Sequence, residues 1–169
     1  MDNYSGALSL NQRFIKVLGF FAIPFIAVAL DQLTKHMIRT FLELGESIPA
    51  DGFFRLTYTT NTGGAFSIFT NYGFLLTIAT VLGVVILVIY LRFLPLQSKI
   101  LKIGLGLDLG GAMGNLIDRL RFGEVTDFID VGPWPVFNIA DSCIVVGTIL
   151  IAYHLLFQTG WKKTASSSP

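Results

Sequence analysis

The sequence predicts an all-α membrane protein, a four-transmembrane-helix bundle with a small extracytoplasmic β-sheet and both termini cytoplasmic. Three observations predict it. Of the 169 residues, 53% are hydrophobic and only 14% charged, against about 25% charged in soluble domains, so a water-facing surface of ordinary polarity cannot be assembled. Several uncharged runs approach the roughly 20 apolar residues a helix needs to cross the hydrocarbon layer. The basic residues flanking those runs also segregate to one side, which marks the cytoplasm. We read residues 1–163 as one integral membrane domain, with spans near 14–34, 72–94, 100–117 and 138–157 and outward loops at 42–71 and 118–137.

The first span carries Pro24 and a short apolar stretch. Arg13 and Lys16 ahead of it, with Ala27-Val28-Ala29 behind, also have the outline of a secretory signal peptide, and cleavage there would leave three spans. The second holds no ionisable group from Tyr72 to Leu91 except Tyr hydroxyls. The third is interrupted by Lys102, which can snorkel to the interface, and by Asp108, which cannot. The fourth has Asp141 near its start and His154 near its end. With four spans, Arg13, Lys16, Arg92, Lys99, Lys102, Lys162 and Lys163 share one side with Asp2 as the only acid. Between the first two spans, Phe53 to Thr60 alternates and runs into Asn61-Thr62-Gly63-Gly64, a strand ending in a turn. Val125 to Val131 is β-prone and Gly132-Pro133 a turn, so the two outward loops can share a sheet. The Ser-rich tail, 164–169, is predicted disordered.

The charge balance removes some functions. A net charge of +1 lacks the basic footprint of a nucleic-acid binder, and a single cysteine, Cys143, excludes a disulfide framework or a cysteine zinc cluster. No metal or cofactor is predicted.

Carboxylates at helix ends are the candidates for chemistry, because acids inside a membrane are costly and functional by default. Asp118 and Asp141 are 23 residues apart, yet both fall at the outer ends of adjacent antiparallel spans. At 100° per residue Gly104, Gly111 and Gly114 lie near the Asp118 direction, and Val145, Thr148 and Ala152 cluster about Asp141, so these compact faces are expected to pack together. Two adjacent carboxyls titrate as a unit, and one keeps its proton while the other ionises. The ionised member can take a proton from an attacking water while the protonated one hydrogen-bonds the amide carbonyl. Structural alternatives stand beside this: Asn138 and Asp141 have capping spacing, and Asp118 could pair with Arg119 or Arg121.

Other polar residues have structural readings. Asp31 and Lys35 form an i,i+4 pair. Asp127 and Asp130 are expected to be solvent-exposed in a polar loop, Asn61 to serve a turn, and Asn115 to hydrogen-bond between helices. Asp108 is left to pair with Lys102 or to face protein. A small proton- or ion-coupled transporter subunit, relaying protons through Asp108, Asp118 and Asp141, is the alternative function; a purely structural adaptor would leave the acid pair without a purpose.

Five blocks in order make the sequence resemble bacterial signal peptidase II: DQLTK (Asp31 to Lys35), NTGGAF (Asn61 to Phe66), GGAMGNLIDR (Gly110 to Arg119), VTDFID (Val125 to Asp130) and FNIAD (Phe137 to Asp141). The resemblance implies a metal-free aspartic endopeptidase of the bacterial cytoplasmic membrane with its site on the extracytoplasmic side. It would cut diacylglyceryl-modified prolipoproteins on the amino side of the lipidated Cys. It carries the catalytic role onto Asp118 and Asp141, and a supporting role onto Asp31, Lys35, Asn61, Gly63, Asn115, Arg119 and Asn138. It further implies a cyclic peptide antibiotic as inhibitor; contact with membrane lipids and action as a monomer are expectations beside it. Asp108, where the family usually has an apolar residue, and Gly64 depart from the family pattern.

Overall fold

A computed structural model describes residues 10–62, 73–91 and 98–159. Gly63, Gly64, Arg92, Lys162, Lys163 and the 164–169 tail lie outside the described residues. Among the described residues, four helices and three short strands follow in the order α1 (Leu10–Phe41), β1 (Ser47–Ile48), β2 (Arg55–Asn61), α2 (Gly73–Leu91), α3 (Lys99–Phe122), β3 (Val125–Asp130) and α4 (Ile139–Tyr153), the last widening into a π turn at His154–Thr159. Three stretches of the described residues are long and apolar enough to cross a membrane, Gly19–Phe41, Lys99–Phe122 and Ile139–Phe157. Within α2, Thr77–Ile89 forms a shorter apolar helix.

Side-chain exposure is inverted relative to a soluble bundle. Phe25, Ile26, Phe74, Ile86, Ile149 and Leu156 are exposed on the helix surfaces, as expected of helices whose outer faces meet lipid rather than water. Along α1 from Gly19 on, the buried residues are Phe20, Pro24, Ala27, Asp31, Lys35 and Ile38, a single stripe at helical spacing that faces protein. The stripe changes from apolar to charged as it climbs, and α1 runs on to Phe41, well past the expected end at residue 34. It continues because Asp31 and Lys35 are neutralised inside the bundle. The third helix is also longer than expected, ending at Phe122 with Gly123 as a left-handed cap (φ 79°) instead of at residue 117.

The central helix is α3, which touches α1, α2 and α4. Its glycines are divided between two neighbours. A Cβ on Gly110 would fall 2.6 Å from the Ala27 Cβ and 3.0 Å from the Pro24 backbone of α1, whereas Gly104 and Gly111 lie against Gly147, Ile151, Ala140 and Ile144 of α4. The expected α4 face was off by one residue: Val145 points outward at 58% exposure, and the packed set is Ala140, Ile144, Gly147 and Ile151. Close approach selects Gly147 over the bulkier Val145. Gly110→Ala should therefore destabilise the protein by about 1–3 kcal/mol, while Gly19→Ala, with nothing within 4 Å, should leave the thermal midpoint in detergent nearly unchanged. Equal midpoints for the two variants would refute the packing described.

The strands form one antiparallel sheet in the order β1-β2-β3. In β2 and β3, Asn61 pairs with Val125, Thr59 with Asp127 and Arg55 with Asp130, with an irregularity between Leu56 and Thr59. An isolated bridge from Ile129 to Phe137 folds the following segment back on β3. The sheet agrees with the expected one, but the exposure expected for its acids does not: Asp127 is 2% and Asp130 4% exposed. Contacts with α1 and α3 cover β3, so its polar side chains point into the protein.

Candidate active site

Two carboxyl clusters are stacked at the junction of the bundle and the sheet. The inner cluster is built on Lys35, which is fully buried, as are Asp31 and Asp118. Lys35 Nζ lies 2.9 Å from Asp31 Oδ2 and 3.4 Å from Asp118 Oδ2, and donates to Asn115 Oδ1 at 2.9 Å. Asp118 also accepts from Gln32 Nε2 at 3.1 Å and from the Thr126 backbone N–H at 2.9 Å, and faces Arg39 at 3.5 Å. Asp31 in turn accepts the Ala140 N–H at the start of α4 at 2.9 Å. One buried cation thus ties α1, α3, α4 and β3 together.

The second cluster borders a cavity of about 560 Å³. Its polar wall holds Asp127, Asp141, Asn61, Asn115 and Arg119; Trp134, Val136, Ile144, Val145 and Val146 contribute an apolar wall. Asn138, the N-cap of α4, connects the two acids. Its Nδ2 donates to Asp127 Oδ1 at 2.6 Å, its Oδ1 accepts the Asp141 N–H at 2.9 Å, and its own N–H returns to Asp141 Oδ2 at 3.3 Å. The capping box suggested by the spacing is thus present, and it fixes the Asp141 carboxyl instead of competing with a role for it. Asn115 Nδ2 donates to Asp141 Oδ1 at 2.8 Å, and Asn61 Nδ2 to Asp127 Oδ2 at 3.0 Å. Arg119 lies in the combined field of Asp141, Asp127 and Asp118. Burial, helped by the Asp141 charge, pushes the Asp127 carboxyl up to about 7 against the opposing bonds from Asn61 and Asn138 and the charge of Lys35. Asp130, on the far end of β3, behaves oppositely. Burial raises its carboxyl, but bonds from Thr57, Gly132 and Arg55 and the Arg55 charge outweigh that and hold it below the usual carboxylate range.

The structure assembles the sequence-derived residues differently from expectation. Asp31, Lys35, Asn61, Asn115, Arg119, Asn138 and Asp141 are all brought to the junction. Asp118 is not placed on the cavity with Asp141, because α3 turns it toward α1, where Lys35 and Arg39 take the place of the anticipated Arg119 or Arg121 as its ion partners. The carboxyl that shares the cavity with Asp141 is Asp127. Sequence reasoning also missed Gln32, Arg39 and Thr126. Asp127 was visible only as a member of the VTDFID block, since an acid in an alternating strand normally points to water.

The family described as signal peptidase (SPase) II matches residues 23–157. A lipoprotein signal peptidase of Moorella thermoacetica is 46% identical over 142 residues, covering 83% of this chain and 95% of the relative. One from Bacillus velezensis is 41% identical over 152 residues, covering 85% and 97%. Among solved structures, a bacterial membrane enzyme determined by the in meso method at 2.3 Å resolution superimposes with a TM-score of 0.75 at 33% identity, covering 89% of this chain and 92% of that one. Nothing in these likenesses supports the transporter reading. The chain is a multi-pass membrane protein and a peptidase, and it belongs to the signal peptidase II family.

Proposed function

We propose that the chain removes signal peptides from prolipoproteins by aspartic chemistry at Asp127 and Asp141. The observation that carries this reading is that these two carboxyls border one cavity and are linked by Asn138. Below about pH 7 Asp127 holds the proton, because its burial disfavours the charge. Asp141 accepts the Asn115 amide and the Asn138 N–H, which orient its carboxylate as the proton acceptor. A water between them loses a proton to Asp141 as its oxygen bonds to the scissile carbonyl carbon, and Asp127 donates to the carbonyl oxygen. The tetrahedral intermediate collapses when the amide nitrogen takes the proton from Asp141 and the C–N bond breaks. Asp127 regains its proton as the new carboxyl forms. Asp118 is then a positioning residue, which through Thr126 holds the strand that carries Asp127.

The apolar wall of the cavity opens beside Val145 and Val146, exposed on the outer surface of α4. A substrate already held in the bilayer by a diacylglyceryl group enters there without leaving lipid. The same reading has four spans, both termini cytoplasmic, the site at the extracytoplasmic interface of the bacterial cytoplasmic membrane, cleavage on the amino side of the lipidated Cys, and a monomer that a cyclic peptide antibiotic can occupy.

Two measurements test it. Purified enzyme should release the signal peptide from the diacylglyceryl form of a prolipoprotein and not from the unmodified form; equal cleavage of both would remove lipid recognition from the reading. The cleavage rate should fall as the pH rises through about 7, because Asp127 acts in its protonated form and that proton is lost above its pKa. A rate still rising from pH 7 to 9 would contradict the assignment of the acid to Asp127.

A further inference from the structure

Asp108 is the one carboxyl in the seam between α3 and α4 that the proposed chemistry does not use. On α3 the seam runs Gly104, Asp108, Gly111, Asn115; on α4 it runs Ala140, Ile144, Gly147, Ile151. Both sets step by four, three and four residues, the spacing of a left-handed pair of helices packed in layers. Gly104 lies against Gly147 and Ile151, and Gly111 against Ala140 and Ile144. Between these glycine layers, the Asp108 carboxyl fills the space that a Cβ on Gly147 would need. Its Oδ1 is buried without a hydrogen-bond partner, and the Thr148 side chain lies beside the carboxyl. The ion pair with Lys102 is not among those formed by the described residues. A polar group here is costly in hydrocarbon, and a single polar residue in a layered seam is a known means of fixing register at the expense of stability.

We propose that Asp108 is a positioning residue whose carboxyl, seated against Gly147 and Thr148, locks the register of α3 against α4 and thereby holds Asn115 opposite Asp141. The geometry is direct. Asp108 lies two turns before Asn115 on α3, and Thr148 lies two turns after Asp141 on the antiparallel α4, so the polar contact and the Asn115–Asp141 bond are two rungs of one ladder. Glycine layers alone define register weakly, because Gly104 and Gly111, seven residues apart, offer the same smooth surface to Gly147 after a slip of two layers. Such a slip moves α3 by about 10 Å, and the 2.8 Å bond from Asn115 to Asp141 does not survive it.

The proposal rests on the reading of Asp141 as a site residue, which Asp141→Asn tests separately: an active Asp141→Asn enzyme removes that reading whatever happens at position 108. Asp108→Asn keeps the shape and hydrogen-bonding atoms without charge, Asp108→Leu removes both, and Thr148→Val removes the polar neighbour on the other helix. Expected for signal-peptide release are a kcat within about threefold of wild type for Asp108→Asn, and a fall of roughly tenfold or more for Asp108→Leu with KM unchanged and the protein folded. Thr148→Val should fall in the same direction. Wild-type kcat in Asp108→Leu overturns the proposal, as does an Asp108→Asn enzyme as impaired as Asp108→Leu. Where Asp108→Leu does not fold, Thr148→Val decides: a reduced kcat at unchanged thermal midpoint supports the lock, and wild-type kcat overturns it.

Discussion

Replacing Lys35 by Met should destabilise the protein by about 3–5 kcal/mol, the cost of removing one partner from a buried ion cluster and leaving the others uncompensated. Lys35 is fully buried and serves two carboxylates, Asp31 and Asp118, besides the Asn115 carbonyl. Methionine fills the stem volume, so the loss is electrostatic and not a cavity. Denaturant unfolding in detergent micelles measures it, and a change below about 1 kcal/mol would show that the cluster is not the tie described. Adding Asp31→Asn to Lys35→Met should cost less than the sum of the two single changes, because one of the stranded charges is then gone.

Asp141→Asn should lower signal-peptide release by about a thousandfold or more, since the group that accepts the water proton is removed while its shape remains. The amide can still serve the capping box, so insertion and thermal midpoint should stay close to wild type. Single-turnover cleavage of a lipid-modified prolipoprotein is the measurement. A rate within tenfold of wild type would sink the role given to Asp141.

Much of this architecture could be read from the sequence because its signals are local. Apolar runs located the helices, and alternation around Phe53 to Thr60 and Val125 to Val131 located the sheet. Asn115, Asn138 and Asp141 were identified because capping spacing and the GNLIDR and FNIAD blocks carry them. What failed was azimuth. Depth along a helix follows from counting residues, and it placed Asp118 and Asp141 at one level. Which way each points depends on where the small residues let a neighbour approach. The glycines of α3 serve two neighbours: Gly110 meets α1, Gly104 and Gly111 meet α4, and Gly114 lies against Asp31 of α1 and Ala140 of α4. Asp118, one turn beyond Gly114, therefore faces α1. Asp127 was hidden for a related reason. Its strand alternates as a half-exposed one does, and only the extension of α1 past Asp31 and the folding back of Phe137 cover it.

The account makes Asp127 the partner of Asp141 and Asp118 a positioning residue, and a side-by-side comparison of Asp127→Asn and Asp118→Asn tests this most directly. Both enzymes would be purified, their folded fractions set by thermal unfolding, and release of the signal peptide from one diacylglyceryl-modified prolipoprotein timed per folded molecule. The account predicts that Asp127→Asn is as stable as wild type and inactive, because the amide removes a costly buried carboxyl together with the acid. It predicts that Asp118→Asn unfolds at a lower temperature yet retains measurable cleavage in the molecules that remain folded. A folded but inactive Asp118→Asn beside an active Asp127→Asn would contradict it.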